Sequence, residues 1–143
     1  MGVAAGLRAS VSAVVADADT AIQAGSGDVP VLATPRLLAL AEAATVAAIS
    51  PHLPQGVTSV GTSASLEHRR ASPVGTEVVV EAELTEIDGR RLVFSFIARE
   101  NGNRTGVPDD DGGEDRVVGA GTVERVLVDR QAFLARAAGG HRP

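Results

Sequence analysis

The chain has 143 residues and a formal net charge of −5, and 44% of its residues are hydrophobic. This length suits a single domain with a core of its own. The absence of cysteine excludes disulfides, thiolate metal sites and cysteine nucleophiles. The acidic balance, with three phenylalanines and no Trp or Tyr, argues against nucleic-acid binding, because that function needs basic side chains and stacking rings.

The N-terminal segment does not combine a basic start, an apolar run and a cleavage site, so we expect a cytoplasmic protein. Residues 7–15 alternate apolar and polar side chains, which predicts a half-buried strand. Residues 17–24 predict a short helical turn. Residues 25–30, GSGDVP, predict a loop of the kind that can cover a pocket.

The central feature is an aliphatic run, VLATPRLLALAEAATVAAISP, at positions 31–51. Thr34 suits a helix N-cap and Pro35 the first helical position, while the residue before Pro51 leaves the helical conformation. A helix that is apolar on every side is predicted to be buried. It is too short for a membrane span, which takes roughly 20 apolar residues, and we expect no membrane partner.

From position 57 onward the pattern predicts strands at 57–68, 76–87, 91–98 and 116–128, with a hairpin turn at Asp88-Gly89 and a bend at Gly119 and Gly121. Residues 131–138 predict a short terminal helix. We expect one domain over residues 1–143, with a mobile acidic loop at about 101–115 and a frayed tail at 139–143. The acidic loop lacks the ligand spacing of a calcium-binding loop.

This order of elements predicts an α+β fold, in which an antiparallel sheet wraps around one long buried helix. The last four strands have short connections, so they can pair with one another. One edge strand is left over, and few aromatic side chains fill the core. A dimer that joins two sheets would therefore stabilise the protein.

Glu42 is the first candidate for chemistry because it is a lone carboxylate among aliphatic neighbours on the predicted buried helix. Burial of an unpaired charge is costly, so the residue needs a partner or a purpose. One interpretation is a structural pair with a buried arginine. The other is a general base or nucleophile in a pocket, where burial tunes its proton affinity.

Thr34 and His68 are the next candidates. A helix N-terminus offers backbone N–H groups to a developing oxyanion, so Thr34 can serve as a cap, as part of a site, or as both. His68 lies near the end of a predicted strand, and a histidine in that place is either structural or an acid–base partner. His52 and His141 are predicted to be exposed to solvent.

Four blocks of the sequence resemble the single-domain hotdog-fold thioesterases, in particular the fluoroacetyl-CoA thioesterase branch. The blocks lie within residues 25–134 and read GSGDVPVLATPRLLALAEAA, LPQGVTSVGTSASLEH, SPVGTEVVVEAELTEIDGRRLVFSF and GAGTVERVLVD. The resemblance implies a catalytic set of Thr34, Glu42 and His68, with Gly61 as a backbone position that lines the site. It also implies a homodimer, alone or paired into a dimer of dimers, whose substrate is an acyl-CoA.

Three features depart from that branch, one of which is an extra acidic insertion after Asn101. The fluoroacetyl-specific enzyme has a phenylalanine-bearing lid before its catalytic threonine, whereas GSGDVPV contains no aromatic residue, and Val123 stands where the relative has histidine. The resemblance therefore predicts thioester hydrolysis but leaves the acyl group open. It implies no metal and no redox cofactor, since coenzyme A enters as part of the substrate.

The sequence thus predicts an acyl-CoA thioesterase, with Thr34 positioning the carbonyl, His68 as acid–base partner and Glu42 as base or nucleophile. An alternative is a non-catalytic hotdog dimer that binds acyl-CoA or a related ligand. A hydratase of the MaoC type is a further alternative, although the Asp and His motif of those enzymes is not evident.

Overall fold

A computed structural model describes residues 2–101 and 116–140 of the chain. The strands are β1 (Arg8–Val14), β2 (Val57–His68), β3 (Glu77–Asp88), β4 (Arg91–Glu100) and β5 (Val117–Asp129), and the helices are α1 (Ala21–Ala24), α2 (Thr34–Ile49) and α3 (Arg130–Ala135). Each predicted helix and strand is present, with boundaries shifted by up to four residues, the largest shift being at the start of α1. The prediction that the residue before Pro51 leaves the helical conformation is wrong, because Ser50 keeps helical dihedral angles and begins a short 3-10 turn, Ser50–His52, that accepts proline near its start. The predicted mobile loop lies outside the described residues apart from Asn101, as do residues 141–143 of the predicted tail.

The five strands form one antiparallel sheet in the order β1-β3-β4-β5-β2. The predicted hairpin joins β3 to β4, and Gly89 adopts a φ of +61° that favours glycine. The bend expected near Gly119 is also present, because the pairing of β4 with β5 shifts between Ala98 and Arg99 and leaves Val118 as an extra residue on β5.

The core lies between α2 and the inner face of the sheet. Buried and exposed residues alternate along β3 and β4, so one face of each strand packs inward. From α2 come Leu37, Leu40, Ala41, Ala44, Ala48 and Ile49, and from the sheet come Val78, Val80, Ala82, Leu84, Leu92, Phe94, Phe96, Ala98, Val118 and Val123. This is the predicted α+β architecture, a curled sheet around one helix.

The prediction that α2 is buried on every side is wrong for a single chain. Ala39, Ala43, Val46 and Ala47 are exposed, and they share one side of the helix. One sheet covers only the side that faces it, and α2 packs mainly against β1 and β3 rather than β2 and β5. The sequence suggested that every face of α2 is buried because alanine is common on both buried and exposed helix faces.

The β2 strand forms one edge of the sheet, and its outer edge has no pairing strand within the described residues. Residues 61–65, in the middle of β2, are exposed. None of the described helices has the length and hydropathy to span a membrane.

Candidate active site

Thr34 and His68 form a hydrogen bond where α2 begins and β2 ends. The Thr34 Oγ1 atom lies 2.7 Å from His68 Nδ1. The prediction that Thr34 caps the helix is wrong. The N-cap is Ala33, because its carbonyl accepts the first helical hydrogen bond from Leu37 N–H, and no side chain caps that end. The Thr34 hydroxyl is therefore available to the imidazole.

His68 is partly buried, and its Nε2 atom is fully enclosed with no hydrogen-bond partner in the described part of the chain. Burial lowers the pKa of His68 below the ordinary value of 6.5, and an interaction with the Arg70 backbone only partly opposes this shift. The imidazole is therefore neutral at pH 7. A neutral imidazole can accept a proton, which suits a general base.

The Thr34–His68 pair lines a cleft of about 330 Å³. Other lining residues come from α1, from the loop between α1 and α2, and from the chain after β2: Ala21, Ser26, Gly27, Val29, Val31, Leu32, Arg69, Arg70 and Ala71. The cleft therefore brings together two of the predicted catalytic residues and the predicted loop at residues 25–30.

Glu42 lies in a second group, with Gly61 and Arg125. Glu42 Oε2 is 3.8 Å from Arg125 Nη1, and a Cβ atom placed on Gly61 would lie 2.5 Å from Glu42 Oε2. Because Gly61 has no side chain, it leaves a notch in β2 that the Glu42 carboxylate occupies. The expectation that Glu42 is enclosed is wrong for one chain, since 42% of its side chain is exposed although its carboxylate lies beside β2 and β5.

The two groups are separate within one chain. No hydrogen bond or ion pair among the described residues joins Glu42 to Thr34 or His68. Eight residues of α2 span about 12 Å between Thr34 and Glu42. Along β2, Gly61 and His68 are seven residues apart, or about 23 Å at the usual strand rise.

Comparisons with known proteins identify the family. The model of the fluoroacetyl-CoA-specific thioesterase family matches residues 15–108. The fluoroacetyl-CoA thioesterase of Streptantibioticus cattleyicolor is 35% identical over 106 residues, which cover 74% of this chain and 67% of that protein. This chain belongs to the fluoroacetyl-CoA-specific thioesterase family.

Solved structures agree with the fold. A mutant of the fluoroacetyl-CoA thioesterase FlK in complex with acetyl-CoA matches with a TM-score of 0.80 and 28% identity, over 99% of this chain and 100% of that chain. A hot-dog-like protein from Thermanaerovibrio acidaminovorans has a TM-score of 0.79 and 20% identity, over 97% of this chain and 93% of that chain. The predicted hotdog fold and thioester hydrolase class are confirmed.

Arg125 is the residue of this thioesterase that sequence reasoning missed. It lies on β5 between Val123 and Leu127, and all three are buried. Its Nε donates to Ser59 Oγ at 2.8 Å and its Nη2 to the Ser59 carbonyl at 3.1 Å. Burial lowers the pKa of Arg125, while Glu42 opposes that shift. The strand period, which puts Arg125 in phase with two buried aliphatic residues, was the available signal.

The described residues contain no cluster of three or more His, Asp or Glu side chains that could hold a metal ion. The roles of Thr34, Glu42, Gly61 and His68 stay predictions, since family membership does not assign individual residues.

Proposed function

We propose that the protein hydrolyses acyl-CoA thioesters at a site that two copies of the chain build together. One copy contributes Thr34 and His68, and the other contributes Glu42 and Gly61. The observation that carries this proposal is the 2.7 Å hydrogen bond between Thr34 Oγ1 and His68 Nδ1 at the wall of a cleft. That pair offers a hydroxyl to a thioester carbonyl beside an imidazole that is neutral at pH 7.

The chemistry requires a nucleophile for the carbonyl carbon, and two routes fit the residues present. In the first, Glu42 removes a proton from water while the water oxygen attacks the carbonyl carbon. The C–S bond then breaks, and the proton passes from Glu42 to the sulfur with His68 as the shuttle. In the second, the Glu42 carboxylate attacks the carbonyl carbon and the C–S bond breaks, which releases the thiolate and leaves an anhydride. Water then hydrolyses the anhydride and supplies the proton that the thiolate takes up. Both routes give a carboxylic acid and the thiol of coenzyme A. Neither needs a metal or a redox cofactor.

The second copy is needed because Glu42 and His68 do not meet within one chain. The edge strand β2 supports a symmetric pairing, since its exposed residues 61–65 lie between the two groups. Antiparallel pairing about an axis between Ala64 and Ser65 would bring His68 opposite Gly61 of the partner subunit. The same pairing would cover the exposed apolar side of α2. A further association into a dimer of dimers and a cytoplasmic location stay predictions.

Thiol release from a panel of acyl-CoA thioesters tests the proposal. We expect His68→Ala and Glu42→Ala each to lower kcat/KM by about 10²-fold or more, the usual scale for general acid–base groups. His52→Ala and Glu81→Ala are matched controls, because both residues are exposed and lie outside the two groups. Equal slow release by the wild type and both site variants would instead favour a protein that binds acyl-CoA without turning it over.

A further inference from the structure

The cleft beside Thr34 and His68 has two chemically different sides. The segment at residues 31–33 runs between them. On one side it pairs with residues 19–21, through the Ala21 N–H to the Val31 carbonyl and the Ala33 N–H to the Asp19 carbonyl, each within 2.9 Å. On the other side the Leu32 N–H donates to the Ser72 carbonyl at 2.8 Å, and Val31 bridges to Pro73. The residues after His68 therefore lie opposite α1.

The side formed by α1 and the following loop is apolar and lacks large side chains. Ala21 and Leu32 are buried there, Val29 and Val31 are the other apolar residues, and Ser26 is the one polar, uncharged residue that lines this side. A Cβ atom on Gly27 would lie 3.3 Å from Ala21 Cβ, so the loop backbone approaches α1 with no side chain between them. Carboxylates and amides are absent from the residues that line the cleft on this side.

The opposite side is basic and open. Arg69 lines both this cleft and a neighbouring one formed by Ser65, Leu66, Glu67, Ala120 and Gly121. Its Nη2 lies 3.1 Å from Glu67 Oε1, and both side chains are mostly exposed. An exposed ion pair of this kind contributes little, so a phosphate can take the place of the Glu67 carboxylate.

The volume of the cleft exceeds what a two-carbon acyl group needs. An apolar cavity of about 150 Å³ is enough to bind benzene. The volume of the cleft is about 330 Å³. Half of that volume is therefore enough for a six-carbon acyl group. The other half accommodates the thioester and the first atoms of the coenzyme A arm.

We infer that the cleft selects an uncharged, apolar acyl group of about four to eight carbon atoms, which lies between Ala21 and Val29 while coenzyme A leaves past Arg69. This inference rests on the proposed function and names its substrate class. Uncharged acyl groups are favoured because the acyl side offers no partner for a charge. Acetyl and fluoroacetyl groups leave much of the apolar side unfilled.

Competing thioesters test the inference directly. We expect the kcat/KM for hexanoyl-CoA or benzoyl-CoA to exceed those for acetyl-CoA, fluoroacetyl-CoA and succinyl-CoA by at least about tenfold, from the area of the extra apolar atoms buried. If acetyl-CoA or fluoroacetyl-CoA is cleaved equally well, or if succinyl-CoA is preferred, the inference is overturned and the proposed hydrolysis stands. If no thioester is cleaved, both are overturned.

A variant pair locates the acyl group. Val29→Phe should lower the ratio of hexanoyl-CoA to acetyl-CoA kcat/KM by about tenfold, because the larger ring fills the apolar side. Val14→Phe is the matched control, since Val14 is similarly exposed on β1 and does not line the cleft, and it should leave the ratio unchanged. An unchanged ratio in Val29→Phe, with a wild-type unfolding temperature, would show that the acyl group binds elsewhere.

Discussion

At the scale of single residues, the Thr34 hydroxyl illustrates how a residue suited to one role can serve another. The helix begins at Thr34, so the N-cap position falls on Ala33 and the hydroxyl is not used for capping. It hydrogen-bonds to His68 instead. Activity and stability can therefore be separated at this position by substitution.

We expect Thr34→Ala to lower kcat by about 10²-fold, the scale seen when one donor to a developing oxyanion is removed. The free energy of unfolding should fall by no more than about 1.5 kcal/mol, because one exposed hydrogen bond is lost and no cap is lost. Thr34→Ser should keep most of the activity. Steady-state kinetics and urea unfolding check both values.

Thr85→Ala is the control for that experiment, since Thr85 is exposed and its hydroxyl donates to the Val93 carbonyl far from the cleft. A comparable loss of activity in Thr34→Ala and Thr85→Ala would show that the loss does not depend on the position of the hydroxyl in the cleft. Normal turnover of Thr34→Ala would remove the hydroxyl from the mechanism.

The lowered pKa of His68 predicts a specific pH dependence. Since the imidazole loses its proton more readily in the folded protein, the acidic limb of the kcat/KM profile should have its midpoint below pH 6.5. The unfolded chain binds more protons than the folded one between the two pKa values, so stability should fall as the pH drops below 6.5. His68→Asn should remove that part of the stability change. A midpoint at or above 6.5 would contradict a buried neutral base.

The candidate residues Thr34, Glu42, Gly61 and His68 were predicted from blocks that resemble the family, and their roles stay predictions. The structure places them in two separate groups within one chain. Arg125 was missed because an isolated arginine on a strand is usually exposed. The partial exposure of Glu42 was missed because helix composition does not reveal which side a single sheet leaves uncovered.

At the scale of elements, β2 connects the two groups of candidate residues. Gly61 lies beside Glu42, and His68 ends the same strand. The pairing with β5 shifts between Gly61 and Ser63, which places an irregularity next to the notch. The spacing of the two groups therefore depends on the path of one strand.

We expect Gly61→Ala to lower kcat by at least about tenfold, because the new methyl group would lie 2.5 Å from Glu42 Oε2 and must displace the carboxylate. In a Glu42→Asp background, whose shorter side chain avoids the methyl group, the same substitution should cost much less. A double-mutant cycle measures this coupling. If the changes in activation free energy caused by the two substitutions are additive, Gly61 acts independently of Glu42.

The hairpin at Asp88-Gly89, the strand limits and the position of α2 were predictable because each has a local signal. The order β1-β3-β4-β5-β2 was not, because it depends on which strands pair across long stretches of sequence. The asymmetric packing of α2 toward β1 and β3 likewise has no local signature.

At the scale of the whole molecule, the proposal that two copies share each site predicts complementation between inactive variants. A heterodimer of His68→Ala with Glu42→Ala should contain one intact site and one with both defects. Random pairing of equal amounts should restore about a quarter of the wild-type activity. If both residues came from the same chain, the heterodimer would have no intact site. Because purification through both tags isolates the heterodimer, differently tagged and co-expressed chains purified in this way should have about half the wild-type activity per dimer, and no activity above that of the single variants if both residues come from the same chain.

The open edge of β2 also matters before any substrate arrives. A newly synthesised chain presents a row of backbone N–H and C=O groups along twelve residues of that strand. Until those groups form hydrogen bonds with another strand, they can pair with any extended polypeptide nearby, including misfolded copies of this chain. The proposed pairing of two β2 strands would therefore protect against aggregation as well as complete the proposed site.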